Sequence, residues 1–436
     1  MYFPLNLVFF GSALQKCLKE WIRTNHDLGE ALFQLGDPPV RTVREAEFLC
    51  DAMEQASIRL PGEIEAAGMV STPLNCLCCL FQSLTTPAAF EVVESRGVPL
   101  LSSILEQSLY GGQYLPDDDL LFGLKILAAY HHLPTVRHIA HAVRNRIAHD
   151  HYMWPVIFAH FGEPNHPHAL QLVRALEKPI PDGIAGASFL KLANEQYELG
   201  NLEVHPFSGL DGCDRLRQSI SNTDPNFRHE AMQATLATTY LAPNVRDRLL
   251  LLASRHPDAG VRIEADRIAA SYQNPEAARR LADWSLDPRF SRRACQALEN
   301  AGHIDRIPKA THNEGFATLA LLSNTLEESD RFGVIPDQLG IVDTRECYWP
   351  PVGEVITCWL CHFSCRTDID AEPETGVAFV TDQVSIHPDP AVAALSTDDL
   401  YAFYCAWHAM GDDAAREDVQ SMAEEGHQIL AEAKPI

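Results

Sequence analysis

Three dipeptides, Asp224-Pro225, His256-Pro257 and Asp287-Pro288, open segments that recur at intervals of 32 and 31 residues. This period constrains the fold more than any other feature, because so short a unit cannot close a core of its own and must stack on its copies. After each dipeptide the apolar positions return at helical spacing: Phe227, Ala231, Ala234 and Thr238; Val261, Ala265, Ile268 and Tyr272; Phe290, Ala294, Ala297 and Ala301. Each series is the inner stripe of an amphipathic helix. A second helix type follows, in which Pro243, Val245, Arg248, Leu249 and Leu252 return 32 residues later as Pro275, Ala277, Arg280, Leu281 and Trp284. Proline in a first helical turn removes no hydrogen bond, and the Asp or Asn before it can cap. Each repeat is therefore expected to be an α-hairpin.

Val261-Arg262-Ile263-Glu264-Ala265 after His256-Pro257, and Val136-Arg137-His138-Ile139-Ala140 after Pro134, resemble the D-P-x-x-V-R-x-x-A opening of HEAT-like repeats. The kind is the short one, of roughly 30 residues, found in phycobilisome lyases and bacterial scaffold proteins. The resemblance is clearest over 224–309 and extends to 133–178; it rests on Val136, Arg137, Ala140, Asp224, Pro225, Arg228, Ala231, Pro257, Val261, Arg262, Ala265, Asp287, Pro288, Arg292 and Ala294. Phe227-Arg228 and Ser291-Arg292 stand where Val-Arg is usual, and Asp37-Pro38-Pro39-Val40-Arg41 is a faint echo. Helical segments at 120–130, 151–161, 166–177 and 184–199 would extend the array. The resemblance implies a mainly α fold, an α-α superhelix over residues 1–330, and a surface that recognises a polypeptide.

The texture changes near residue 327. Residues 354–365 alternate with β-branched and aromatic side chains, and 376–386 form a second strand region. Ser396 and Asp399 are spaced as in a capping box and open a helix through Met410. A small α+β domain is expected at 336–410, followed by an acidic tail at 411–436, helical from about Ala414 or frayed. Trp349, Trp359, Phe363, Tyr401, Tyr404 and Trp407 supply aromatic bulk to cover the open end of an array.

With 46% hydrophobic residues a 436-residue chain can bury a large core, while its formal charge of −25 repels phosphate backbones and anionic lipid. Nucleic acid and membrane are not expected partners. Residues 336–436 hold 19 acidic and 4 basic side chains, whereas 224–309 hold 11 acidic and 13 basic ones. Arginine outnumbers lysine 27 to 7, which favours forked bonding to carboxylates. Twelve cysteines lie in apolar runs without the spacing of a secreted disulfide scaffold, so reduced thiols and a cytoplasmic setting are expected. Residues 1–10 are apolar and Gly11-Ser12-Ala13 is small, yet no Lys or Arg precedes them, so export is not the expectation.

Cys358-Trp359-Leu360-Cys361-His362 has the letters of a haem-attachment motif, with Cys365 and Cys347 as further candidate ligands. On a strand, however, Cys358, Leu360 and His362 face one way and Trp359, Cys361, Phe363 and Cys365 the other, which points to a half-buried strand instead of a metal site. Nine of 19 histidines fall between His131 and His168; His138, His141 and His149 share one helical face, where imidazoles three residues apart could share a metal, but that face lies opposite Val136, Ala140, Val143 and Ile147 and reads first as a solvated surface. His229-Glu230 resembles the iron-binding pairs of deoxyhypusine hydroxylase, but the counterparts Ile263-Glu264 and Arg293-Ala294 lack the histidine. Arg228, Arg262 and Arg292 could hook carboxylates of a partner, although pairing with the capping Asp of their own or the next repeat is the plainer role. No phosphate loop, nucleophile elbow or H-E-x-x-H helix occurs. No cofactor is expected, and the expected function is a non-catalytic protein-interaction scaffold or adaptor. The alternatives are a lyase-like enzyme or subunit modifying a protein or cofactor, and a metal- or thiol-responsive regulator.

Overall fold

The computed structural model describes residues 11–24, 28–36, 38–63, 72–112, 115–145, 147–329, 331–366, 372–411 and 418–433. The apolar start at 1–10, and Asp37 of the faint repeat, lie outside the described residues. The chain forms two compact units, one of residues 1–219 with 240–242 and one of 220–239 with 243–436.

The first unit is helical. It opens with α1 (Ala13–Thr24), α2 (Leu28–Gln34), α3 (Val43–Glu63), α4 (Pro73–Gln82), α5 (Pro87–Val92) and α6 (Val98–Tyr110). It continues with α7 (Asp117–Ala129), α8 (Thr135–Asn145), α9 (Trp154–Gly162), α10 (Ala169–Leu176) and α11 (Gly183–Glu198). The starts of α4 and α5 follow from local chemistry: the Thr72 and Thr86 hydroxyls accept from the Asn75 and Ala89 N–H groups, with Pro73 and Pro87 in the first turn. Beyond α6 each helix packs on the next but one, so α7, α9 and α11 form one row and α6, α8 and α10 another. Phe158, Phe161, Leu172, Val173 and Phe189 are buried in this stack.

The second unit repeats that scheme. After α12 (Leu210–Ser221), most of which belongs to the first unit, come α13 (Arg228–Ala237), α14 (Pro243–Ala253), α15 (Ala259–Ser271), α16 (Pro275–Trp284), α17 (Ser291–Asn300) and α18 (Glu314–Glu328). α13, α15, α17 and α18 pack in succession, while α14 and α16 lie against them. The stripe read from the sequence divides: Ala231, Ala234, Thr238, Val261, Ala265, Ile268, Ala294, Ala297 and Ala301 are buried, Phe227 and Phe290 are half-buried, and Tyr272 is exposed. Its small residues let helix backbones approach closely; larger side chains, such as Ile263, Leu281 and Leu298, fill the core between the rows. The caps differ from one repeat to the next: Asp258 caps α15 and Asn274 caps α16, whereas Asp224 and Asp287 each accept the N–H two residues on, before the helix begins.

Four strands follow in the order β1-β2-β3-β4, all antiparallel: β1 (Gln338–Trp349), β2 (Glu354–Cys365), β3 (Glu374–Val380) and β4 (Val384–His387). The expected single strand region at 376–386 is thus a hairpin, turned at residues 381–383. β1 was not foreseen, because an edge strand carrying Gln338, Asp343, Thr344 and Glu346 has little apolar alternation to read. One sheet face packs Cys361, Phe363, Cys365, Ala378 and Val380 against Leu322 and Leu326 of α18 and against Phe332. The other packs Trp349, Cys358, Leu360 and Phe379 under Leu400, Tyr401 and Tyr404 of α20 (Thr397–Met410), which follows the short α19 (Pro390–Ala393).

One expectation is corrected here and another is sharpened. Of the six aromatics proposed to cover the array end, Trp359 and Phe363 face α18, but Trp349, Tyr401, Tyr404 and Trp407 belong to the core under α20. The acidic tail contains a packed helix, α21 (Val419–Glu432), whose Met422 and Ala423 join that core. Gly426 permits the approach, since a Cβ there would clash with the Ala402 carbonyl oxygen. The Ser396 hydroxyl accepts the Asp399 N–H as a cap, but the shorter Asp399 side chain accepts from the Ser396 hydroxyl instead of reaching its N–H, and also holds His427 of α21 at 2.8 Å.

Candidate functional site

The histidines do not form the solvated face expected of them. His138 is fully buried, with Nε2 3.1 Å from the Ser102 hydroxyl and Nδ1 without a hydrogen-bond partner, and burial pushes its pKa down to about 4. His141 stacks edge-on against Tyr110 at 4.4 Å. His149 lies beyond the end of α8, where Nε2 meets the Val143 carbonyl and Nδ1 accepts the Asp182 N–H. The three therefore turn to three different partners. Among the described residues no three His, Cys, Asp or Glu side chains are grouped to hold a metal ion.

A different histidine pattern emerges at His166-Pro167, His205-Pro206 and His256-Pro257. In each, Nδ1 accepts the backbone N–H two residues on, at 3.2, 3.3 and 3.0 Å. Because Nδ1 accepts, the proton of the neutral ring sits on Nε2, which faces the Ala128 carbonyl, the Asn194 side-chain oxygen and the Asn222 carbonyl respectively. All three rings are buried. They tie a helix start to an earlier element, and burial lowers the pKa of His166 and His205 to about 4.

The cysteine-rich strand separates its thiols by face. Cys358 lies under α20 and Cys361 and Cys365 under α18, while His362 is exposed. Cys358 approaches Cys347 instead, with sulfurs 4.0 Å apart on the same side of the sheet. All twelve cysteines are free thiols, and burial pushes Cys361 up to about 12 and Cys365 to about 11, far from the low values of reactive thiolates.

The repeat arginines diverge. Arg262 donates to the His256 carbonyl and lies 5.0 Å from the Trp284 ring centre, not against a capping Asp. Arg228 reaches the Gly333 carbonyl, and Arg137 pairs with Glu106. Arg292 is exposed and makes no ion pair among the described residues. It lines a groove of about 590 Å³ across α15, α17 and α18, in company with Arg267, Arg289 and Arg293. Those three already hold carboxylates: Arg267 grips Glu264 through two bonds of 2.6 and 2.9 Å, Arg289 holds Asp287, and Arg293 holds Glu327.

No family model, curated protein sequence or solved structure matches the chain. The buried Ser102–His138 contact lacks a group to orient Nδ1, so it is not the relay that a serine nucleophile needs. The groove sets four guanidinium groups beside the carboxylates of Glu264, Glu327 and Glu328, and of the four arginines Arg292 makes no ion pair among the described residues. The signal for it in the sequence was the near-neutral stretch at 224–309 within an acidic chain. No helix among the described residues is long and apolar enough to cross a membrane.

Proposed function

We propose that the protein is a non-catalytic interaction scaffold whose paired helices are HEAT-like repeats, and that it binds a polypeptide partner across α15, α17 and α18. The observation that carries the reading is Arg292, held at the surface of a groove whose other three arginines are fixed by their own carboxylates. Ion pairing straightens Arg267, Arg289 and Arg293, so an incoming acidic segment meets ordered donors beside a free fork and loses less side-chain entropy on binding. The row-by-row helix packing supports the repeat reading, since each added hairpin extends one continuous surface.

The test is capture of partners from native extract by the intact protein and by an Arg292→Glu variant in parallel. A stoichiometric polypeptide retained by the first and lost by the second, with binding weakened by added salt, supports the groove. Equal retention by both, or weakening that ignores ionic strength, sinks it.

A further inference from the structure

β1 and β2 bring two thiols together under α20. Cys347 and Cys358 lie on the same side of the sheet with their sulfurs 4.0 Å apart. The register pairs Cys347 with Ile356 and Cys358 with Arg345, so the two cysteines are diagonal neighbours and not direct partners. Cys358 is fully buried in the core under α20, whereas Cys347, on the edge strand, is half-buried.

That arrangement does not suit a disulfide. Diagonal residues of antiparallel strands stand about 7–8 Å apart, their Cβ atoms somewhat nearer, while a disulfide needs Cβ atoms about 4 Å apart. It does suit a single atom held between the sulfurs. Two metal–sulfur bonds of about 2.3 Å span about 4.0 Å when bent to a trigonal angle and about 4.6 Å when in line. The observed spacing meets the lower end of that interval without displacing either strand.

The donor atoms then decide which cation fits. Zinc takes four ligands in a structural site, and calcium or magnesium takes at least six oxygens. Among the described residues no third His, Cys, Asp or Glu side chain is grouped with the two thiols. Two sulfurs without imidazole or carboxylate suit a soft monovalent ion, copper(I) above all. The surroundings agree, since Leu360, Phe379, Tyr401 and Cys405 build the core there, and the Tyr401 hydroxyl is turned to the Cys358 carbonyl at 3.4 Å.

We propose that Cys347 and Cys358 form a two-coordinate site for copper(I), entered from the half-buried Cys347. On binding, both S–H bonds break, two copper–sulfur bonds form and two protons pass to solvent; no electron is transferred. Burial, and then the neighbouring Cys347, hold the Cys358 thiol above its usual range, so copper competes with protons and is held more tightly as pH rises. The site shares no residue with the arginine groove, and either can fail without the other.

The experiment uses the full chain, reduced and under argon, titrated against the coloured complex of copper(I) with bicinchoninate. One equivalent of copper(I) is expected to pass to the protein, and X-ray absorption should show two sulfur neighbours and no nitrogen or oxygen. Cys347→Ser, at the half-buried position, and Cys358→Ala should each lose that equivalent. Cys79→Ser, at an exposed thiol, and Cys361→Ser, on the opposite face of the sheet, should keep it. Circular dichroism checks that each variant is folded; if Cys358→Ala is not, Cys347→Ser and the absorption spectrum decide. No transfer of copper, retention of the equivalent by Cys347→Ser, its loss in Cys79→Ser, a nitrogen or oxygen neighbour, or displacement by equimolar zinc overturns the proposal.

Discussion

Replacing His205 by glutamine should remove a defined part of the acid sensitivity of the first unit. His205 is 1% exposed; its Nδ1 accepts the Phe207 N–H and its Nε2 donates to the Asn194 side-chain oxygen, so the folded state accommodates only the neutral ring. Burial lowers its pKa from 6.5 to about 4. Below pH 6.5 the unfolded chain takes up a proton that the folded chain refuses. Stability is thus complete above that pH, declines as pH falls towards 4, and is flat below it. With those two values the loss between pH 7 and pH 5 is about 2 kcal/mol for this ring alone, and about 3 kcal/mol once the decline is complete. Glutamine does not titrate, so the pH dependence of the urea midpoint should be shallower in the variant by that amount, whatever its absolute stability. His138 and His166, also lowered to about 4, will retain part of the slope. The reasoning is refuted if wild type and variant lose equal stability between pH 7 and 5, or if the His205 ring proton in a labelled sample titrates near 6.5.

Two further perturbations test the second unit. Gly426→Ala places a Cβ against the Ala402 carbonyl oxygen, which forces α21 off α20 and should cost roughly 2–4 kcal/mol, read as a lowered melting temperature; Glu425→Ala, on the exposed side, should shift it little, and equal melting of the two would show that the helices are not so closely packed. Removing residues 336–436 uncovers Leu322 and Leu326 of α18, whose burial contributes roughly 3–6 kcal/mol; the shortened chain should aggregate or melt early by light scattering and circular dichroism, and one that stays soluble, helical and equally stable would end the capping idea.

The repeat was legible because its signal is local. A stripe such as Val261, Ala265 and Ile268 lies within one helix, and helical periodicity reads it directly. The edge strand β1 was not legible, since Asp343, Thr344 and Glu346 owe their conformation to backbone pairing with β2, which leaves no hydropathic trace. The fates of Arg262 and Arg292 were equally hidden. One lies over Trp284 and the other is exposed on the groove, although the same sequence rule places both, because the deciding neighbours belong to other helices. The helix of the tail was legible but its packing was not, because acidic residues dominate the composition there while Met422, Ala423 and Gly426 are its buried residues.

The histidines did leave a signal, in the dipeptides themselves. At Asp224-Pro225 and Asp287-Pro288 a carboxylate accepts the N–H two residues on; at His166-Pro167, His205-Pro206 and His256-Pro257 an imidazole nitrogen accepts it. The two side chains are interchangeable for this turn, but not beyond it. A carboxylate is an acceptor only and adds charge, whereas the neutral ring has a second, donating nitrogen that can reach a carbonyl or amide oxygen of an earlier element. In a chain of net charge −25, such a turn both avoids another buried anion and adds a cross-tie. At His166 and His205, whose pKa burial lowers to about 4, the same substitution makes the tie conditional on the ring staying neutral, so these two ties should loosen in acid where an aspartate turn would hold.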